Sequence, residues 1–566
     1  MSTNTSYKLW KIHGGVHPPF HKEESTQHPI KRAGIPKQII LPIQQHIGSP
    51  AEPLVAVGDK VYKGQLVAKA NAHISANIHA STSGTISAIE ELVLPHPSGL
   101  KGLSIVIDTD GKDDWGQSGK YSTYESYNDV EPELLLKRIQ EAGIVGLGGA
   151  VFPTSVKIEG AEQNEIDTFI INGAECEPYI TCDDMLMREK SAQIVAGIRI
   201  VQHMINPKKC LIGIEDNKPE AIQAMQQACE NDPNINVINV PTIYPSGDIK
   251  QLTKILTGIE IPSGTRSVNA GILGQNVGTI YSIYQAIVDG IPTISRITTV
   301  TGKGIQHPQN FETLNGTPFS FLAEQAGGYT KMADHLIMGG PMMGFALPDD
   351  KPPITKATNC ALFTSTTALR ESNSEFANQP TLPCIRCGKC MDACPVNLLP
   401  QQLYWHIRAK DLEKAEQHFL NDCIECGCCS YVCPSHIPLV DYYRFAKNEI
   451  RDQKIAQEKA NLSRERHEFL LFRKEREKRE REEKRAAHKA ALQKKKANAK
   501  KNGDKNNGAK TDSKADAIKA AMARAKAKKE QREQEKKTTD KTKKENTVKE
   551  ISDASNKEKE VKKDEV

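Results

Sequence analysis

Between residues 36 and 110, apolar residues come in short runs separated by turn signals. The runs 38–42, 54–57, 65–68, 84–89 and 103–107 predict the strands of a small β module. Residues 1–35, rich in Gly, His and Pro, predict an extended arm ahead of it. From 131 to 290 the period changes. Helical spacing at 132–142, 190–204 and 219–230 alternates with compact apolar runs at 168–173, 210–214 and 235–240. Pro132 opens the first of these helices, a position where its missing N–H costs nothing. Such alternation predicts an α/β domain with a partly parallel sheet, whose ligands bind at the carboxyl ends of the strands. Residues 291–350 return to short β-like runs and close on Gly339-Gly340-Pro341-Met342-Met343-Gly344. Between 396 and 422, Leu398, Leu403, Trp405, Ile407, Leu412, Ala415 and Phe419 recur at helical intervals. From 447 onward the chain is almost wholly Lys, Arg, Glu, Ala, Gln and Asn. Leu462, Phe469, Leu470, Leu471 and Phe472 give its first part a weak apolar face, which predicts a long helix to about residue 500 and disorder after it.

Composition narrows the classes. A length of 566 residues allows three or four domains, and the charged C-terminus explains a hydrophobic content of only 38%. A net charge of +5 over this length does not indicate a nucleic-acid binder. In the tail, acidic residues are interspersed almost as densely as Lys, and aromatics are nearly absent after Phe472, so the stacking residues of a single-strand binder are missing. A solvated helix and flexible tail is the expectation there. The alternative is attraction to anionic lipid, where each juxtamembrane Lys or Arg contributes ~1 kcal/mol. The N-terminus lacks the apolar core of a signal peptide. No apolar run approaches the about twenty residues that span a bilayer.

Nine of the fourteen cysteines lie between residues 384 and 433, eight of them forming two runs. These are Cys384-x2-Cys387-x2-Cys390-x3-Cys394-Pro395 and Cys423-x2-Cys426-x2-Cys429-x3-Cys433-Pro434. The spacing is that of a pair of [4Fe–4S] clusters, in which the fourth cysteine of each run ligates the other cluster. One quartet is then Cys384, Cys387, Cys390 and Cys433, and the other Cys423, Cys426, Cys429 and Cys394. Zinc also takes four thiolates, but seldom in this rhythm followed by proline, and seldom twice. Cys428 breaks the rhythm and reads as a spectator. Reduced thiolate ligands suit the cytosol. The long segment between the runs predicts an α-helical ferredoxin module in place of a compact one.

Two further stretches carry candidate chemistry. Residues 57–68 and 79–86 resemble the halves of a biotinyl/lipoyl-type barrel, but the hairpin between them, 70–78, holds no lysine to carry a swinging cofactor. That module is therefore structural. The loop 143–154, Gly-Ile-Val-Gly-Leu-Gly-Gly-Ala-Val-Phe-Pro-Thr, lets backbone N–H groups approach a phosphate or flavin closely. It is neither a G-x-G-x-x-G fingerprint nor a P-loop. Asn172-Gly173-Ala174-Glu175-Cys176-Glu177-Pro178 follows an apolar strand and offers polar groups to a flavin ring or a ribose hydroxyl.

The loop with Lys157, written GxxGxGGAxFPTxxK, is similar to the FMN- and NADH-binding loop of the flavin subunit of respiratory complex I. Residues 172–178 match that subunit's NGxExEP. Residues 244–248 resemble its Tyr-x-x-Gly-Glu turn, and residues 276–279 its Asn-Val-Glu-Thr. The order of modules over nearly all of 8–490 resembles the C subunit of the Rnf/Rsx ion-translocating electron-transport complexes. The resemblance implies a multidomain α/β plus β chain. Its parts are an arm and barrel-sandwich module (1–125), a flavin-type α/β domain (126–290), a β-grasp-like module (291–360), an α-helical double-cluster ferredoxin domain (361–446) and a charged tail (447–566). It implies FMN at Gly146, Gly148, Gly149, Lys157, Asn172 and Glu175, with Glu177 and Phe152 nearer the nicotinamide of NADH/NAD+. It also implies a peripheral subunit on the cytoplasmic side of the bacterial inner membrane, passing electrons between NADH, FMN, two [4Fe–4S] clusters and membrane partners. Those partners are integral membrane and flavin-carrying subunits. Reverse flow, with soluble ferredoxin as donor, fits equally.

There are departures. Val145 and Leu147 stand where complex I has arginines, Val151 replaces a glycine, Ala174 an aspartate, and Asp248 a glutamate. Loss of the arginines leaves a second expectation open, an iron–sulfur relay adaptor that binds no nucleotide. Cys176, Cys182, Cys210, Cys229 and Cys360 read as ordinary buried thiols. His335 and His436 lack a ligand partner at usable spacing. Met338, Met342 and Met343 read as packing beside a glycine turn.

Overall fold

A computed structural model of the chain describes residues 7–371 except 97, 117, 118, 125 and 163, then 380–501 and 520–523. Apart from 520–523, the disorder expected after about residue 500 lies outside the described residues. The chain divides into two compact units, Met1–Ala456 and Gln457–Val566.

Two small antiparallel sheets make the first module. One has the order Gln38–Pro42, Lys101–Thr109, Gly84–Val93, Lys60–Val61, and the other Glu52–Pro53, Leu66–Lys69, Ile78–His79. They close on a shared core of Ile39, Leu41, Val67, Ile78, Ile86, Ile105 and Ile107. The strand expected at 54–57 does not form. Asp59 accepts the Ala56 N–H through Oδ2 and returns its own N–H to the Ala56 carbonyl. That Asx-type turn takes the backbone groups a strand would need, and Leu54 and Val57 are exposed.

The α/β domain carries a four-stranded sheet in the order Ile235–Val240, Lys209–Glu215, Thr168–Gly173, Ile272–Asn276, parallel throughout. One face packs on Leu135, Ile139, Ile194, Ile198 and Ile280, the other on Leu252, Ile255 and Leu256. The helix expected at 190–204 starts eight residues earlier, as Cys182–Ile205, with non-helical φ/ψ at Lys190. Its first turn is held by a carboxylate outside the helix, which apolar spacing does not report.

The third module is a six-stranded sheet, Lys31–Arg32, Gln309–Leu314, Ser295–Thr301, Cys360–Thr364, His335–Met338, Phe345–Leu347. The N-terminal arm supplies its edge strand, parallel to Gln309–Leu314. Cys360–Thr364 lies centrally, so the sheet continues past residue 360.

The cysteine runs belong to a helical module. Its 396–422 segment is two short helices, Pro400–Arg408 and Leu412–Gln417, and not one continuous helix. Lys410 between them has φ +56°, and Trp405 and Phe419 are exposed. The helix Leu439–Lys501 follows. Described by itself, its part from Gln457 to Asn498 is exposed along its length. No helix among the described residues is long and apolar enough to cross a membrane.

Candidate functional site

The carboxyl ends of the parallel strands open into a cleft of about 1810 Å³, its mouth included. All eight residues expected at a flavin site, Gly146, Gly148, Gly149, Phe152, Lys157, Asn172, Glu175 and Glu177, line it. The glycine loop joins the helices Pro132–Glu141 and Thr154–Glu162. It closes on itself through Gly146 N–H to Phe152 O (2.9 Å) and Val151 N–H to Gly146 O (3.1 Å). Gly149 has φ +112° and open space where a Cβ would stand. Gly148 backs onto Asn276, whose Cβ would lie 3.2 Å from an added methyl. Neither position tolerates a side chain without cost.

Val145 and Leu147 do not line the cleft. They are buried with Ala76, from the tip of the lysine-free hairpin, and Val151 packs against them. The positions where complex I has arginines therefore serve here as an apolar seam between the barrel-sandwich module and the back of the loop. Their replacement says nothing against a ligand on the loop's other face.

Three side chains at the cleft act as helix caps. Glu175 (φ +48°) accepts the Asp183 and Asp184 N–H groups at 2.7 and 3.1 Å. Asp248 accepts those of Lys250 and Gln251, each at 3.1 Å. Asn276 Oδ1 accepts those of Gly278 and Thr279, and its Nδ2 donates to Asp183 Oδ2 at 2.6 Å. Three helix N-termini thus point their positive ends at one cleft. The glutamate and asparagine that resemble motif positions hold the scaffold as well as line the cavity.

Lys157 lies in the wall with Nζ donating to the Gly274 carbonyl. Burial lowers its pKa to about 8. Burial raises the carboxyls of Glu175, Glu177, Asp183 and Asp248, Asp183 to about 7. Glu177 Oε1 accepts the Met342 and Met343 N–H groups at 2.7 and 3.0 Å, while its Oε2 is buried without a partner. Lys22, from the arm, donates to the carbonyls of Glu175, Glu177 and Ile180 at 2.7, 3.0 and 2.7 Å, fixing the 175–180 turn. Sequence reading missed Lys22 and Asp183. It also took the Met342–Met343 turn for packing alone; the signal available was a glycine-rich turn with no core pattern around it. Open space at Gly149, an orphaned carboxylate oxygen and a buried ammonium among helix N-termini fit a ligand with an anionic group and a polar ring edge, as FMN has.

The cysteines gather as two quartets. Cys384, Cys387, Cys390 and Cys433 line one cavity, with Gln401 Nε2 donating to Cys384 Sγ at 3.6 Å. Cys394, Cys423, Cys426 and Cys429 line the other. There Leu398 N–H donates to Cys394 Sγ (3.3 Å) and Glu425 N–H to Cys423 Sγ (3.4 Å). Each quartet takes its fourth member from the other run. The two loops repeat one backbone shape, with positive φ at Arg386 and Glu425, Gly388 and Gly427, and Asn397 and His436. These pairs fall at equal offsets from Cys384 and Cys423 or from Cys394 and Cys433. A loop curled twice through the left-handed region brings three sulfurs to one point. Four soft thiolates with N–H donors at their sulfurs fit a [4Fe–4S] cube. Cys428 also borders the second cavity, but its Sγ lies 3.9 Å from the Tyr244 carbonyl and it packs with Tyr244, Cys176 and Met342.

A cleft whose lining fits a flavin, beside two cysteine quartets that fit [4Fe–4S] cubes, defines the class of iron–sulfur flavoproteins. Family models agree: "RnfC Barrel sandwich hybrid domain" matches residues 10–112, "Nuo51 FMN-binding domain" 139–285, "SLBB domain" 297–346 and "4Fe-4S dicluster domain" 383–437. The C subunit of an ion-translocating oxidoreductase complex from Haemophilus influenzae (strain PittEE) is 45% identical over 477 residues, covering 84% of this chain and 72% of the relative. Counterparts from Pectobacterium atrosepticum and Pasteurella multocida are each 46% identical, covering 83% and 79% of this chain but 66% and 52% of their own lengths. The chain belongs to the family formed by the C subunits of the ion-translocating oxidoreductase complexes, and its cofactors are FMN and [4Fe–4S] clusters. It spans between about half and three-quarters of the length of these relatives. Among solved structures, an air-oxidised NAD+-reducing [NiFe]-hydrogenase aligns at a TM-score of 0.40 and 17% identity, over 53% of this chain and 60% of that one. That likeness is too distant to carry an inference.

Proposed function

We propose that the chain is a peripheral subunit on the cytoplasmic side of a bacterial inner-membrane ion-translocating oxidoreductase, passing electrons between NADH and membrane partner subunits. FMN held in the cleft would supply the conversion between two-electron hydride chemistry with NADH and the one-electron steps that [4Fe–4S] clusters carry. The chain's own residues bind and orient. The bare backbone of Gly146, Gly148 and Gly149 allows close approach, and Lys157 and the helix N-termini favour an anionic group. Asn172, held by its Nδ2–H bond to Gly247 O (2.8 Å), presents a fixed polar edge. Phe152 and Glu177 flank the space left for the nicotinamide. The quartets Cys384/Cys387/Cys390/Cys433 and Cys423/Cys426/Cys429/Cys394 hold the clusters. The domain divisions near residues 125, 290 and 446 belong to the same reading, with the third module extended through Thr364 to include its central strand.

The observation that carries this is the meeting of all eight flavin positions on one cleft, in the same compact unit as both quartets. Anaerobic purification followed by an inventory of iron, sulfide and flavin tests it. Eight irons and one flavin per chain, with cluster absorbance that bleaches on adding NADH, are the expected results. Zinc in place of iron, or no bleaching, refutes it.

The helix from Gln457 to Lys501 carries 17 Lys and Arg against 8 Glu, and shows Phe469, Leu470, Leu471 and Phe472 to solvent. This supports an anionic lipid surface as its neighbour, through charge and a short apolar insertion.

A further inference from the structure

The hydrogen bonds joining the arm and α/β domain to the cysteine module fall, among the described residues, at or beside one quartet, the Ser263 Oγ bonds to the Asp422 carboxylate next to Cys423 included. His13 Nδ1 lies 2.9 Å from the Cys394 carbonyl, and Gly15 N–H donates to Ala393 O at 3.0 Å. Gln251 Nε2 donates to Pro395 O at 3.3 Å. The deepest contact is Tyr244, fully buried, whose hydroxyl donates to the Cys426 carbonyl at 2.6 Å. Tyr244 is itself pinned by paired backbone bonds with Val16, at 2.8 and 3.0 Å. It packs with Cys176, Met342, Cys426 and Cys428 in one apolar cluster. Gly427 sits so close to the Met342 carbonyl that a Cβ would lie at 2.7 Å. Met342 in turn donates its N–H to Glu177, and Cys176 and Glu177 both line the cleft. Cys176 and Glu177 on the cleft side, and Tyr244 and Met342 behind them, are therefore the side chains that stand between the cleft and the second quartet. Among the described residues the first quartet has no such neighbour. Its cavity is lined only by residues between 384 and 439, and Cys387 is exposed.

We infer that Tyr244 is a positioning residue that seats the Cys394/Cys423/Cys426/Cys429 quartet against the cleft wall, makes it the cluster adjacent to the flavin, and raises its reduction potential through the hydroxyl dipole aimed at Cys426. The bond goes to the Cys426 carbonyl and not to its sulfur, so the effect is that of the positive end of an O–H dipole held beside a ligand residue, which stabilises the more negative, reduced cluster. The adjacency rests on the flavin reading of the cleft; the effect on potential does not.

Tyr244→Phe keeps the ring and removes the hydroxyl. In anaerobically purified full-length protein, mediated redox titration followed by EPR should show a lower midpoint for one cluster signal and an unmoved midpoint for the other. Gln401→Ala, which removes the donor to Cys384 Sγ, should move the other signal alone. Replacing Tyr244 by 3,5-difluorotyrosine strengthens the donor and should raise the midpoint that Phe lowers. If Tyr244→Phe loses iron, the fluorinated protein decides by the same criterion. After mixing wild-type protein with NADH and freezing, the Tyr244-sensitive signal should rise first. Midpoints that move together, or not at all, overturn the inference, as does a first-rising signal that is insensitive to Tyr244. If NADH reduces neither cluster, the flavin reading fails while the titration still stands on its own.

Discussion

Val151 is a β-branched residue at φ +43°, where its Cβ crowds the following carbonyl. The strain there is about 1–2 kcal/mol. Glycine removes it, but returns about 0.5–1 kcal/mol of backbone entropy to the unfolded chain and forfeits the packing on Val145 and Leu147. These effects nearly cancel. Val151→Gly should leave the thermal midpoint of anaerobic protein almost unchanged. Val145→Gly, at a fully buried site with ordinary backbone, should lower it clearly. Lys157 gives a pH signature. Its ammonium is held charged below about pH 8 and is neutral above it while folded. Attraction for the flavin phosphate is therefore present below that pH and lost as pH rises through it. Flavin affinity, measured by fluorescence quenching on reconstitution, should fall between pH 7 and 9. Lys157→Met should bind roughly 10- to 100-fold more weakly at pH 7, the equivalent of about 1.5–3 kcal/mol for a charged hydrogen bond, and show a flat pH profile.

Among the elements, the glycine loop is shaped from behind by the barrel-sandwich hairpin. Leu147→Arg restores the residue type found in complex I but buries a second charge in the seam with Ala76, beside the Arg296 guanidinium that already donates to the Leu147 carbonyl. An unpaired buried charge costs roughly 3–5 kcal/mol. Soluble yield and thermal midpoint should drop, where a surface arginine would be neutral. The elements that apolar period announced are the strands Thr168–Gly173 and Ile235–Val240 and the helix Pro132–Glu141, each within a residue of its expected bounds. The ones it misplaced were fixed by polar groups. Asp59 turns the chain where a strand was expected, and Glu175, seven residues before Cys182, starts a helix earlier than its apolar face does. Ile272–Asn276 escaped notice because Gly274 interrupts a run of only five residues. That these eight positions would meet at one strand-end cleft was legible from the motif. Their second duties as caps were not, because a capped N–H belongs to a different stretch of chain.

For the whole molecule, the arm of residues 13–32 ties three modules together. It reaches Cys394 and Ala393, then the 175–180 turn through Lys22, then the edge of the six-stranded sheet at Lys31–Arg32. The lipid proposal for the helix after Gln457 is testable in the full chain. Substituting Phe469, Leu470, Leu471 and Phe472 by Ser should leave iron and flavin content unchanged. It should weaken sedimentation with phosphatidylglycerol-containing vesicles, and the remaining binding should fall as salt rises. Equal binding to neutral phosphatidylcholine vesicles would refute the electrostatic part.

The chain alone determined the cysteine quartets, the strand-end ligand motif and the parallel α/β core, because each is local: spacing along a few residues, or one period over a dozen. Tertiary structure decided the roles that need distant partners. It turned two lost arginines into a seam for Ala76, made Glu175 a cap, and set Tyr244 against Cys426, 182 residues away in sequence. Contacts of that separation leave no trace in spacing, because the chain between them is free to vary while the two ends meet.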